Sequence, residues 1–158
     1  MSLDDTLALL SEAELFELVE RDALRLMAFA AETRRLRAGE YLFREGERSD
    51  GGYVVMSGAL AVGKESGAAA IAGRGALIGR IALFVRMKRP VSAVARERSE
   101  VLRISPTMMK RMLEEFPAAA IAIRDALADE LAGLSADLEE ARRLLAGDVS
   151  SRGAGAKS

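Results

Sequence analysis

The sequence predicts a mainly β fold with α: a double-stranded antiparallel β-barrel or jelly roll of about eight short strands, flanked by N-terminal helices and a long C-terminal helix. Three observations predict it. From Leu36 to Val62, short apolar runs are separated by glycine and polar clusters, which is the punctuation of strands. Ser105-Pro106 places a capping hydroxyl before a proline at the first helical position, the opening of a helix. Farther on, Leu127, Leu131, Leu134, Leu138, Ala141 and Leu145 recur at alternating spacings of four and three, a helical seam. With 158 residues, half of them apolar, the chain can build one core with some helix to spare.

The elements come in this order. Ser11-Glu-Ala-Glu14 reads as a capping box ahead of an apolar run, Leu15, Phe16, Leu18 and Val19. Asp22 stands where it would cap a second short helix carrying Leu24, Leu26, Met27 and Phe29. The rhythm changes to strands at Thr33. Tyr53–Met56 and Ala59–Val62 flank Ser57-Gly58, a two-residue hairpin signal, and Gly39, Gly46 and Gly58 fall at turns where a side chain would cost strain. Gly63–Gly75 reads as a hairpin with a short tip. Val91–Ala95 and Glu100–Ile104 are further strands, with a polar interruption at Arg96–Ser99. The helix opened by Ser105 carries Met108, Met112, Leu113 and Phe116 on its apolar face. Pro117 interrupts it, and a longer helix runs to about Leu145.

In that longer helix Leu127, Leu131, Leu134, Leu138 and Leu145 predict the seam of a parallel homodimer, with Asp137 and Arg142 placed for an interchain ion pair. The competing reading lays the helix on its own barrel. The expected organisation is N-terminal helices over 1–32, a barrel over 33–104, C-terminal helices over 105–146 and a disordered tail over 147–158.

Composition narrows the function classes. The net charge is −1, so no global charge selects a partner, and direct nucleic-acid binding is not expected. No apolar stretch approaches the roughly 18 residues of a membrane span, and the acidic start lacks the order of a signal peptide; the expectation is a cytoplasmic protein without a membrane partner. Cysteine is absent, which excludes disulfides, thiolate nucleophiles and sulfur-ligated metals. Histidine is absent too, removing the commonest general base and metal ligand. No convincing carboxylate pair replaces them. We therefore expect no catalytic residue, no metal site, no cofactor and no enzyme activity.

The chemistry concentrates in residues 78–95, Ile-Gly-Arg-Ile-Ala-Leu-Phe-Val-Arg-Met-Lys-Arg-Pro-Val-Ser-Ala-Val-Ala. They read as a turn at Gly79, a short apolar helical turn, a basic loop ending at Arg89, then a strand. Such a layout suits one phosphate: N–H groups at the start of a helical turn face an anion, and an arginine supplies a forked pair of charged donors. The competing reading makes Arg89 a surface arginine beside Arg86 and Lys88.

This stretch resembles the phosphate-binding cassette of cyclic-nucleotide-binding domains, whose pattern is roughly Phe-Gly-Glu-Leu-Ala-Leu, a few loop residues, then Pro-Arg-Ala-Ala/Ser-Thr/Ser. Without a gap, Gly79, Ala82, Leu83, Arg89 and Ser92 fall on matching positions. The Ala-Gly-Glu, Glu-Gly-Glu and Ser-Gly signatures upstream resemble the first half of the same barrel, and the likeness extends from about Leu24 to Leu145. The resemblance implies a ligand site of Gly79, Arg80, Ile81, Ala82, Arg89, Pro90 and Ser92, with Arg89 on the phosphate, Ser92 on the phosphate or a guanine amine, and cAMP or cGMP as ligand. It also implies that the C-terminal helix closes over the base, with Arg124 one candidate for that contact, and carries the output. In the catabolite-activator-like branch that helix also dimerises and a DNA-binding domain comes after it; this chain stops where that domain would begin.

One position departs from the family. The glutamate that holds the ribose falls on Arg80. A carboxylate only accepts hydrogen bonds and a guanidinium only donates, so the ribose hydroxyl loses a strong charged acceptor, worth roughly 1.5–3 kcal/mol. Three outcomes are open: weak nucleotide binding, a more negatively charged ligand clamped by Arg80, or no ligand and an Arg80 paired to a surface carboxylate. The expected function is a non-enzymatic sensor of cAMP, cGMP or a related anion. The alternative is a degenerate fold that serves as a dimerisation or docking scaffold.

Overall fold

The computed structural model describes residues 2–128, which form helices and two antiparallel sheets. The chain divides into two compact units, Met1–Ile121 and Ala122–Ser158. Helix α1 spans Leu3–Glu12 and is opened by a capping box between Ser2 and Asp5. The box expected at Ser11–Glu14 does not form. Ser11 already lies in the last turn of α1, where its hydroxyl donates to the Ala8 carbonyl at 2.7 Å. After α1 comes a single 3-10 turn, Phe16–Leu18, with Phe16 fully buried. Helix α2 spans Arg21–Ala30. Its N-cap is Glu20, without a side-chain cap, while Asp22 sits inside the first turn. Ala23, Leu24 and Met27 are buried, but Phe29, expected on the packed face, is 83% exposed.

Eight strands come next, as the punctuation predicted: β1 Glu32–Leu36, β2 Tyr41–Phe43, β3 Gly52–Ser57, β4 Leu60–Gly63, β5 Ala69–Ala72, β6 Leu77–Ile78, β7 Ser92–Ala95 and β8 Ser99–Ile104. They make two four-stranded sheets, ordered β1-β8-β3-β6 and β2-β7-β4-β5. Neither closes, so the jelly-roll expectation holds and the closed barrel does not. Gly39, Gly46 and Gly58 all have positive φ, as their turns require.

The Ser57-Gly58 hairpin is not formed. The two strands it joins do not pair with one another: β3 bonds to β6 and β8, β4 to β5 and β7. The dipeptide is a corner between sheets. Gly58 has φ +85°, and a β-carbon there would collide with Ser99 Oγ and the Arg98 carbonyl. That corner needs glycine as much as a hairpin would, so the local signal could not separate the two. The hairpin over Gly63–Gly75 is present, with Gly63 opposite Ala69.

Strand alternation builds the interior. Tyr53 and Val55 of β3, Val101 of β8, Ile78, Leu60, Ala93, Ala95, Leu36, Leu42 and Phe43 form one buried cluster. Val54, Met56, Leu102 and Ile104 point the other way and are also buried. Buried on both faces, β3 therefore reads as a continuous apolar run. Helix α3, Pro106–Glu115, begins as expected: the Ser105 hydroxyl accepts from the Met108 N–H at 3.1 Å and Pro106 occupies the first turn. Its buried residues are Met109 and Met112. Met108, Leu113 and Phe116 are only half-buried, so the face is rotated from the predicted one. Pro117 opens the next helix, α4, helical over residues 117–128. Of the proposed seam, only Leu127 lies within the described residues; Leu131, Leu134, Leu138, Ala141, Leu145, Asp137, Arg142 and the tail over 147–158 lie outside them. No described helix is long and apolar enough to cross a membrane.

Candidate ligand-binding site

Main-chain bonds fix the loop that carries Arg89. Residues 46–49 run antiparallel to 87–89. Ser49 N–H donates to the Met87 carbonyl at 2.7 Å, Arg89 N–H to Glu47 at 2.7 Å, and Gly46 N–H to Arg89 at 2.8 Å. The buried Ser49 hydroxyl accepts a further bond from Met87 N–H at 2.9 Å. The basic loop is thus held like a strand, and the side chain of Arg89 turns inward.

Only 3% of Arg89 is exposed, which rules out the solvated surface arginine. Its Nη2 donates to Asp50 Oδ1 at 3.0 Å and to the Gly51 carbonyl at 2.8 Å. The guanidinium lies 4.1 Å from the centroid of Phe43, a cation–π contact. Its Nε is buried with no hydrogen-bond partner. Gly79 stands against the same group: with φ +74°, its added β-carbon would lie 2.7 Å from Arg89 Nη1. Glycine is demanded there twice, by backbone conformation and by the close approach of the guanidinium.

Asp50 is the hub of this end of the molecule. Besides Arg89 it accepts from Arg34 at 2.8 Å and from the Tyr53 hydroxyl at 2.8 Å, and Arg103 Nε lies 3.4 Å away. Tyr53 accepts from Arg34 Nη1 at 2.8 Å in turn. Burial pushes the Asp50 carboxyl up, but the Tyr53 hydrogen bond and the charges of Arg34 and Arg103 outweigh it and leave the group below its ordinary 3.8. Burial and the Asp50 carboxylate push the Tyr53 phenol up to about 12.

Beside Arg89 opens a cavity of about 280 Å³, lined by Phe43, Leu77, Gly79, Arg80, Ile81, Ala82, Met87, Arg89 and Pro90. Six of the seven residues read from the sequence therefore line one space. Residues Ile81–Leu83 form the expected helical turn, whose Ala82 N–H donates to the Gly79 carbonyl at 3.1 Å. Ser92 is the exception. It is buried away from the cavity, its hydroxyl accepting from Glu45 N–H at 2.8 Å and donating to Glu65 Oε1 at 2.7 Å. It joins β7 to the β4–β5 hairpin. Arg80 forms an ion pair with Glu14, in the link between α1 and the turn Phe16–Leu18, and its side chain is about one-third exposed. Arg124, the candidate for the base, pairs with its neighbour Asp125 at 3.7 Å.

A family model for the cyclic nucleotide-binding domain matches residues 33–116, just over half of the chain. The chain belongs to the cyclic nucleotide-binding domain family. The proteins it is similar to are of different kinds. Over 68 residues the domain is 40% identical to the voltage-gated delayed rectifier potassium channel KCNH8 of Mus musculus; the match covers 43% of this chain and 6% of the channel. The chain thus spans only a small part of such curated relatives. Among solved structures, a cyclic nucleotide-binding-like protein from Brucella abortus bv. 1 str. 9-941 is 37% identical, with a TM-score of 0.62, over 70% of this chain and 99% of that one. The N-terminal domain of a transcriptional regulator from Streptomyces coelicolor A3(2) is 25% identical, with a TM-score of 0.71, over 79% of this chain and 93% of the other.

Sequence reasoning missed the site roles of Phe43, Asp50, Tyr53, Arg34 and Arg103 within the domain, and of Glu14 ahead of it. Asp50 was visible only as a turn residue before Gly51-Gly52, a place where aspartate is common for local reasons. Arg34 and Arg103 lie in β1 and β8, and only the register of that pair brings them to Asp50.

Proposed function

We propose that this chain is a ligand-sensing regulatory module that takes a cyclic nucleotide in the cavity beside Arg89, with Arg89 holding the phosphate and the C-terminal helix carrying the output. One observation carries the reading: a buried guanidinium with an unpartnered Nε stands at the wall of a cavity otherwise lined mostly by apolar residues. A cyclic phosphodiester bears one negative charge, and two parallel donors match its exocyclic oxygens. The volume, about 280 Å³, lies near the lower end of small-molecule pockets. Ligand-site roles for Gly79, Arg80, Ile81, Ala82 and Pro90 belong to the same proposal, as does a dimer seam through the leucines of the last helix. Ser92 would join the ligand only by giving up Glu65.

A second reading is a docking or dimerisation scaffold that binds no nucleotide. It is favoured by the protein's own counter-charges: Asp50 already accepts from Arg89, and Glu14 already pairs with Arg80. Calorimetry with cAMP and cGMP separates the two. The sensor reading expects measurable binding by the wild type and a loss of about ten- to a hundredfold in Arg89→Ala, the effect of one charged hydrogen bond. The combined variant Arg80→Glu with Glu14→Arg keeps the ion pair and returns a carboxylate to the cavity wall; about a tenfold gain is expected. Absence of heat from both wild type and the exchanged pair would overturn the sensor reading and favour the scaffold.

A further inference from the structure

Arg80 lines the cavity and, among its interactions, pairs with Glu14 of the N-terminal segment. The residue after Glu14 is unusual: Leu15 has φ 72° and ψ −43°, the one non-glycine residue with positive φ among those described. A β-carbon crowds that conformation, so it persists only where the surroundings over-determine it. Here Leu15 and Phe16 are buried, while Glu14, on the exposed side of the same turn, is tied to Arg80. The turn then closes on itself: Leu18 N–H donates to the Leu15 carbonyl at 3.2 Å and Val19 N–H to Phe16 at 3.1 Å.

We propose that the Arg80–Glu14 pair couples the cavity to the N-terminal helices: an anion that engages Arg80 competes with the Glu14 carboxylate, and losing that contact loosens the strained turn at Leu15. The proposal rests on the cavity being an anion site, the reading given under the proposed function. It gives the arginine a use that a ribose-binding glutamate could not have. A guanidinium can trade one carboxylate for another anion, whereas a glutamate at this position would repel Glu14. It also ranks ligands by charge. A dianion such as 5′-AMP displaces Glu14 more effectively than the monoanion cAMP, because its second negative charge strengthens its attraction to Arg80 against that of the single Glu14 carboxylate.

The test is amide hydrogen exchange at Glu17, Leu18 and Val19 in the full chain, with calorimetry alongside. Without ligand, Glu14→Gln and Arg80→Gln should each speed exchange of these amides roughly two- to fivefold, the range of a partly exposed ion pair. The double variant should be no faster than either single one. Saturating 5′-AMP should reproduce the increase in wild type, cAMP should do so more weakly, and neither should act on Arg80→Gln. Equal exchange in wild type and both single variants overturns the coupling, and so does nucleotide binding by calorimetry that leaves these amides unchanged. If wild type binds neither nucleotide, the cavity reading fails and ligand coupling fails with it; the ligand-free comparison then still decides whether Glu14 and Arg80 hold the turn.

Discussion

Arg80 and Arg89 line the same cavity nine positions apart, and the protein treats them oppositely. Arg89 is 3% exposed, lies on Phe43 and donates to Asp50 and the Gly51 carbonyl. Arg80 keeps about a third of its side chain in solvent and pairs with Glu14, itself about half exposed. Both are arginines facing a carboxylate, yet the contacts differ in strength. Water screens the Arg80 pair, which holds ~0–1 kcal/mol. Removing a partner from the Arg89 end leaves charge in a poorly solvated space, which costs several kcal/mol when burial is complete. A buried arginine must be prepared by its neighbours; an exposed one can exchange partners. One end of the cavity is built to hold still, the other to respond.

The largest break in this contrast is Asp50→Asn. It leaves Arg34, Arg89 and Arg103 without the carboxylate they share, and should cost about 2 kcal/mol by urea unfolding at pH 7. This is less than the cost for a fully buried pair, because 40% of the Asp50 side chain is exposed. The sign with pH comes from the lowered carboxyl. The folded state binds this proton less readily than the unfolded chain, so the stabilisation is complete above the ordinary 3.8 and disappears as pH falls through the depressed folded value. Asp50→Asn should therefore lose part of the acid-side decline expected of wild type. A decline of equal size in both proteins would show that other carboxylates set it.

A smaller effect is expected at Gly79. Alanine there meets the left-handed backbone, about 1–2 kcal/mol, and its β-carbon would fall 2.7 Å from Arg89 Nη1. The expected result is that stability loss together with weakened nucleotide binding, because the guanidinium must shift. Unchanged binding would mean that the position of Arg89 is not what the cavity reads. Smallest of all, Arg80→Gln should change stability by less than about 1 kcal/mol. A larger loss would erase the distinction between the two ends.

The cassette was legible because its parts are local. Gly79, the apolar turn after it and the loop to Arg89 arise from backbone preference and spacing within a dozen residues, and Gly79, Ile81, Ala82, Met87 and Arg89 from that stretch line one cavity. The start of α3 was legible for the same reason, since Ser105 caps it through a bond spanning three residues. The errors were also local in origin. Ser11 and Glu14 fit a capping pattern that the segment does not use, because α1 had already begun at Leu3. Ser57-Gly58 fits a hairpin and a corner equally well.

The sequence by itself determined the succession of short strands, the glycine turns, the cap before Pro106 and the arginine that ends the basic loop, since each depends on neighbours along the chain. Only the tertiary structure decided what those arginines meet. Asp50 lies 39 positions before Arg89, and Glu14 lies 66 before Arg80. Such meetings depend on sheet register, corners between sheets and the docking of helices, which no local pattern states. Partners like these fix whether a guanidinium is buried and held or exposed and exchangeable, because the cost of leaving a charge unpaired is set by how much water the fold lets reach it.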